Sequence, residues 1–334
     1  MVKSPVMLAF LVSGALTAGV CGTAAGQAYP TKPIELVSPT SAGSGTDIYA
    51  RALADIVRRE KLMPHGFVVQ NRVGGGSLIA INYIQTKRGD PYVMLAATGT
   101  VAIMAARADV NIGLENYTPL ALFAVDPQAV MVNADTPYKT LKDLAEAARK
   151  APDTIVCAIT NPLGSGRMVI HALEKLTPGA KFKFVTFKGG GEAVLSVGGG
   201  HTHFTTENLS EGLALLEAKK LRVLAITSQK RLPQLPDLPT ATEAGYKIHV
   251  GTIRGFAFPA GVPRETAKYM EGVLERAHQT KAWKDHAKKY YYEDRYLGSV
   301  DYARFLVQRV GEYKDFFAEV GATGATGGTT KPAQ

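Results

Sequence analysis

The stretch SPTSAGSGTDIYARALADIVRR, residues 38–59, runs from the end of an apolar strand through a glycine-rich turn into an amphipathic helix. Upstream, Ile34-Glu35-Leu36-Val37 supplies the strand. Downstream, Ile48, Ala52, Leu53, Ile56 and Val57 share one helical face, with Arg51, Asp55, Arg58 and Arg59 elsewhere. Strand, small-residue loop, helix is a seat for an anion, because the first N–H groups of a helix have no partner within it. The first question is which anion.

A dinucleotide fingerprint needs G-x-G-x-x-G, and Gly43 and Gly45 are followed by Ile48. A phosphate-binding P-loop needs Gly-Lys-Ser/Thr, and neither Gly45-Thr46 nor Gly191-Glu192 has the lysine. A serine hydrolase wants Gly-x-Ser-x-Gly, whereas Ser44 and Ser165 each sit in Gly-Ser-Gly; both read as helix caps. His201 and His203 would share one face of a strand near Glu207, but no further ligand at metal spacing accompanies them. No catalytic residue, metal site or cofactor site is expected. A carboxylate remains, held by backbone N–H groups with Ser and Thr hydroxyls.

The same pattern recurs along the chain. Phe67-Val68-Val69 is a strand ended by Asn71 to Ser77, and Tyr92 to Ala97 is another, closed by Thr98-Gly99-Thr100. Leu120 to Val132 is apolar but for Asp126-Pro127. Thr140 caps a helix, Thr154 to Ile159 is a strand leading into Asn161 to Gly166, and helical spacing resumes over Met168 to Leu176. Phe182 to Phe187, with Lys188-Gly189-Gly190-Gly191, repeats the motif, and Arg222 to Thr227 is a further strand. Phe256 to Pro259 reads as a return to the first domain, with helix from there to about Val320. The expected class is α/β with a mainly parallel sheet. Residues 29–130 with 251–320 make a first, discontinuous domain and 131–250 a second, before a low-complexity tail at 321–334 expected to be disordered.

Residues 1–28 have the pattern of a secretory signal peptide: Lys3, an apolar core from Val6 to Val20, and small residues up to Ala28. Export to the periplasm is expected. Beyond the signal only Cys157 carries a thiol, so no intramolecular disulfide is expected. The net charge of +9 favours anions without choosing one, and no basic-aromatic run supports nucleic-acid binding.

Several motifs, in order and spacing, resemble the solute receptors of tripartite tricarboxylate transporters, the Bug-type receptors. They are Tyr29-Pro30-Thr31-Lys32-Pro33-Ile34, Gly43-Ser44-Gly45-Thr46-Asp47 with Ala50-Arg51, and Val68 through Gly76. Phe187-Lys188-Gly189-Gly190, Leu235 to Thr240 with Glu243-Ala244-Gly245, and Phe258 to Pro263 complete the set. The resemblance implies a two-lobed periplasmic binding protein of the type II kind, with a cleft between two three-layer α/β/α domains. It implies a ligand carboxylate held between a first-domain loop (Thr40, Ser41, Ser44, Gly45, Thr46, Asp47) and a second-domain loop (Asn161, Gly164, Ser165). Thr98, Thr100, Lys188, Thr205 and Glu207 fall where other contacts are expected.

The chain departs from that pattern at Ser38-Pro39-Thr40-Ser41, at Gly89-Asp90-Pro91-Tyr92, at His203 to Glu207, and at Ile253-Arg254-Gly255. Arg254 offers a fork for a second carboxylate, which points to an aliphatic or aromatic dicarboxylate; the alternative is a surface arginine beside the hinge. Asp47 is read either as a helix-capping carboxylate or as the partner of a ligand ammonium. The implied function is capture of a small organic acid by a monomer that delivers it to inner-membrane permease subunits of a tripartite tricarboxylate-type transporter. Presentation of the acid to a sensor protein, and a secreted α/β enzyme acting on an anion, are the alternatives.

Overall fold

The computed structural model describes Met1 and residues 29–322; residues 2–28 and 323–334, with the expected signal peptide and nearly all of the expected tail, lie outside the described residues. Strand β1 (Ile34–Ser38) pairs in parallel with β2 (Phe67–Asn71) and β3 (Val93–Ala97), and between them run α1 (Gly45–Arg59) and α2 (Leu78–Thr86). After α3 (Thr100–Ala106) the chain forms β4 (Tyr117–Pro127), then crosses at Gln128 into β5 (Ala129–Asn133) of a second sheet. That sheet is completed through α4 (Leu141–Lys150), β6 (Val156–Ile159), α5 (Ser165–Leu176), β7 (Lys183–Thr186), α6 (Gly190–Gly198), β8 (Phe204–Thr205), α7 (Leu213–Glu217) and β9 (Leu221–Ile226). The chain returns along β10 (Gly251–Pro259) and ends in α8 (Arg264–Gln279), α9 (Lys281–Lys289), β11 (Glu293–Gly298) and α10 (Ser299–Glu319).

The six-stranded sheet has the order β11-β4-β10-β3-β1-β2 and the five-stranded one β7-β6-β8-β5-β9. Both are mixed, which corrects the expectation of mainly parallel pairing. Strands β10 and β4 run antiparallel because each carries the chain from one sheet to the other, and β5 is antiparallel to β8 and β9 for the same reason. Each sheet is covered on both faces. Ile34, Leu36 and Phe123 pack towards α1, α8 and α9, while Val37, Leu122 and Ile253 pack towards α2, α3 and α10. In the second sheet Val130, Val132 and Cys157 meet α4 and α5, and Ala129, Met131 and Ala158 meet α6. Strands sealed on both faces read as unbroken apolar runs, which is why β3 and the centre of β4 were visible in the sequence.

The buried arc of α1 is rotated from the expected one. Tyr49 and Ala50 are sealed with Leu53, Ile56 and Val57, while Ile48 and Ala52 are half-buried. The Tyr49 hydroxyl explains the rotation: it donates to the carbonyls of Ala97, at 3.1 Å, and Gly255, tying α1 to β3 and β10. Thr140 caps α4 as expected, its side chain accepting from Asp143 N–H at 3.1 Å. The C-terminal region is not continuously helical. Tyr291 takes a left-handed turn (φ 58°) after α9, and β11 then pairs along β4. As an edge strand it tolerates Glu293, Asp294 and Arg295, charges that hide it from hydropathy. Here the single tryptophan, Trp283, is sealed against Phe123, ring centroids 4.8 Å apart, and donates from its indole to Asp294 at 3.0 Å.

Tyr49→Phe removes one buried hydroxyl with two acceptors and is expected to lower stability by about 1–2 kcal/mol. Urea unfolding reads this as an earlier midpoint at unchanged slope; an unchanged midpoint would show that the hydroxyl contributes nothing.

Candidate ligand cleft

A cavity of about 510 Å³ opens between the two sheets at their loop ends. The loop after β1 forms one wall. Gly43 adopts φ 80°, a left-handed conformation that favours glycine, and the chain then enters α1 with Ser44 as N-cap. Ser44 makes no side-chain cap; its hydroxyl meets that of Thr40, which also lies 3.3 Å from the Ser38 hydroxyl. Thr98 and Thr100 stand beside this wall, hydroxyl to hydroxyl at 3.0 Å. The opposite wall is the loop after β6. Asn161 accepts from Leu163 N–H at 2.9 Å, Gly164 is the N-cap of α5, and Ser165 is its first residue. The capping expected of Ser44 and Ser165 is therefore corrected: neither hydroxyl caps, and both residues line the cavity.

Thirteen of the fifteen expected residues come together here. Thr40, Ser41, Ser44, Gly45, Thr46, Thr98 and Thr100 line the cavity from one side, with Arg254 at its floor. Asn161, Gly164, Ser165, Lys188 and Glu207 line it from the other. Asp47 and Thr205 do not. The Asp47 carboxylate accepts from Gly43 N–H (2.9 Å), Arg51 Nε (2.9 Å) and Asn71 Nδ2 (2.8 Å), so it is spent on shaping the loop. Burial alone would raise its pKa, but those three donors hold it below the usual carboxylate range. Thr205 is sealed beneath the floor and donates to the Ala158 carbonyl at 2.8 Å. His203 accepts from Val156 N–H at 3.0 Å, and β8 starts one residue later, so the expected strand face shared by two histidines does not form.

Arg254 is neither a surface residue nor a free fork. Its side chain is 2 % exposed, its guanidinium contacts the sealed Asp126 carboxylate, and it donates to Thr46 Oγ1 at 3.3 Å. Tyr49 and Tyr292 flank it, ring centroids 5.7 and 5.6 Å away. A Cβ at Gly45 would lie 2.6 Å from this guanidinium, so the glycine at the start of α1 makes room for the arginine. Ser210 donates to Asp126 at 3.1 Å, and Asn208, Thr252 and Gln128 continue the network where the chain crosses between sheets. Burial pushes the Asp126 carboxyl up against the opposing pull of Arg254.

The sequence reading missed Glu211, on a short 3₁₀ turn at Leu209–Gly212, along with Thr160, Asn208, Thr252, Tyr313 and the Gly74-Gly75-Gly76 turn, all of which line the cavity. The Glu207 carboxylate accepts from Thr160 N–H at 2.8 Å, and burial pushes it up to about 7. Glu211 Oε2 is shut off from solvent without a hydrogen-bond partner among the described residues; burial, then the neighbouring Glu207, push its carboxyl up to about 8 against the pull of Arg254. The four-residue spacing of two acids after a strand was the available signal for Glu211.

The profile of the tripartite tricarboxylate transporter family receptor matches residues 49–321, and the chain belongs to that family. It is 28% identical over 272 residues to the protein BugT of Bordetella pertussis, covering 80% of this chain and 82% of that one. Among solved structures, a TctC solute-binding protein from Polaromonas without ligand superposes with a TM-score of 0.69 at 26% identity, over 87% of this chain and 99% of the other. An R. palustris protein with adipate superposes at 0.81 and 24% identity, over 88% and 98% of the two chains. MatC from Rhodopseudomonas palustris with bound malate does so at 0.77 and 21%, over 88% and 99%. The architecture is that of the two-lobed periplasmic binding proteins, and family and fold alike are those of solute-binding receptors.

Arg254→Ala leaves Asp126 buried without its partner and is expected to cost about 3–5 kcal/mol. Pairing Arg254→Met with Asp126→Asn should recover most of the loss in urea unfolding. Equal losses for the single and double variants would show that the two charges do not depend on each other.

Proposed function

We propose that this protein captures a small organic acid in the cleft and delivers it, unchanged, to the permease subunits of a tripartite tricarboxylate-type transporter, working in the periplasm. One observation carries the reading: the N-termini of α1 and α5, from opposite sheets, border one cavity edged by the hydroxyls of Thr40, Ser44, Thr98, Thr100 and Ser165. Each helix end favours an anion by about 0.3–1 kcal/mol, and each hydrogen bond to a charged group adds roughly 1.5–3 kcal/mol. Micromolar capture needs about 8 kcal/mol, more than one loop supplies and within reach of two that clamp the same group. Binding by two walls also gives the acid a reason to hold the lobes together.

The structural neighbours with adipate and malate support an acid as the solute. The dicarboxylate expectation loses its carrier, because Arg254 is already paired with Asp126. We therefore seat one carboxylate on the two helix termini and leave the far end of the ligand to the second wall. Export is supported by family membership and by the apolar leader of residues 1–28; among the described residues no helix is long and apolar enough to cross a membrane.

Thermal unfolding of ligand-free protein against mono-, di- and tricarboxylic acids and amino acids tests this. An acid at a hundred times its Kd should add about 2.7 kcal/mol to stability. Thr98→Val and Thr100→Val should each weaken it about tenfold or more, as loss of a hydrogen bond to a charged group requires. The acid should be recovered intact after prolonged incubation. If sugars or cations raise the midpoint and no acid does, the carboxylate seat is wrong; if the acid is converted, the protein is an enzyme.

A further inference from the structure

We infer that Glu207 and Glu211 form a cation subsite in the cleft, so that the captured acid also carries a protonated amine and the ligand is an amino-carboxylate. The inference rests on the carboxylate reading above and extends it to the other end of the ligand.

With both glutamates ionised, negative charge outnumbers positive charge at the buried end of the cleft. Glu207 lines the cavity at 7 % exposure and accepts only from Thr160 among the described residues. Glu211 lines it too, and its Oε2 is sealed without a hydrogen-bond partner among the described residues. The one arginine at the floor is committed to Asp126. Lys188, the other cation bordering the cavity, is exposed and makes no ion pair among the described residues. Arg254 also pulls on Glu211, but it is shared with the contacting Asp126, so ionising both glutamates leaves three carboxylates to one buried guanidinium, an arrangement that costs free energy. An ammonium group brings three N–H donors and one positive charge, so it can donate to the Glu207 carboxylate and offset the charge of Glu211 beside it. A second ligand carboxylate at the same place would meet like charge from whichever glutamate is ionised.

The surroundings hold Glu211 in place. A Cβ on Gly190, at the start of α6, would overlap its carboxylate, so the glycine there leaves the space that Glu211 fills. The role that the sequence offered to Asp47 therefore passes to residues on the opposite wall.

The sign of the pH dependence separates this subsite from its opposite. Burial pushes Glu207 up to about 7 and Glu211 up to about 8, so without ligand the pair holds at least one proton near neutrality. The other groups acting on Glu211 are Arg254 from β10, which keeps its charge, Asp126 from β4, held in contact with Arg254, and the backbone N–H of Gly45 at the start of α1, while Lys188 borders the same cavity. Tyr313 of α10, whose phenol burial raises to about 12, stays neutral. An ammonium favours the ionised glutamates, so its binding expels a proton and tightens as pH rises from 6 to 8.5, by about tenfold or more for one such carboxyl. Protonated glutamates donating to an anion would give the reverse.

Calorimetry on the full chain freed of ligand decides it, using matched probes: γ-aminobutyrate against butyrate, L-glutamate against glutarate, and L-leucine against 4-methylpentanoate. The expected result is one pair whose amine member binds at least about tenfold tighter, tighter at pH 8.5 than at pH 6, with a proton released to buffer. In that pair Glu211→Gln and Glu207→Gln, each checked for an unchanged melting profile, should each bring the ratio of the two affinities towards one. If des-amino acids bind as well as or better than their amines, or if amine binding weakens as pH rises, the subsite is refuted while the carboxylate reading stands. If no member of any pair and no other carboxylic acid binds, the carboxylate reading falls and this inference with it.

Discussion

Arg254 and Asp126 meet where β10 and β4 lie side by side, and most of the cleft is arranged around the need to keep that contact dry and complete. A guanidinium cannot shed its proton, so once buried it must be matched. Asp126 matches it, and Ser210 from the second sheet supports Asp126 in turn. Tyr49 and Tyr292 close the flanks, and α1 has to begin with a glycine because the guanidinium lies where a side chain would be. One ion pair thus fixes the start of α1, the spacing of two central strands, and a contact with the Ser210 turn of the second lobe.

Around that fixed point the two walls use different chemistry. The wall from the six-stranded sheet is built of backbone and hydroxyls, and its one carboxylate, Asp47, is turned inward to Gly43, Arg51 and Asn71, where it sets the loop's curvature. The wall from the five-stranded sheet carries two carboxyls, Glu207 and Glu211, at the lining of the cavity. The carboxyls are thus confined to one wall of the cavity, while the N-terminus of a helix borders it from each wall.

The strands and the glycine loops were legible because their cause is local. Buried strands need unbroken apolar runs, and a chain reversing into a helix needs small residues with φ above zero at positions such as Gly43. What stayed hidden depends on contacts distant in sequence. The rotation of α1 follows from a hydroxyl on Tyr49 reaching Gly255, over two hundred residues away. The fate of Arg254 was set by Asp126, which looked only like an interruption in an apolar run. Glu211 reaches the cleft through a short 3₁₀ turn, an element without a periodic signature, and β11 is an edge strand whose charges conceal it.

The single tryptophan has an optical consequence. Trp283 is sealed on the inner face of α9, edge-on against Phe123 and hydrogen-bonded to Asp294, and it does not border the cleft. Its emission colour is thus a gauge of whether the six-stranded lobe is intact and says little about what sits between the lobes. An occupant that closes the cleft without disturbing α9 would leave the fluorescence spectrum dark to its arrival, so heat and calorimetry, rather than light, are the natural detectors for this receptor.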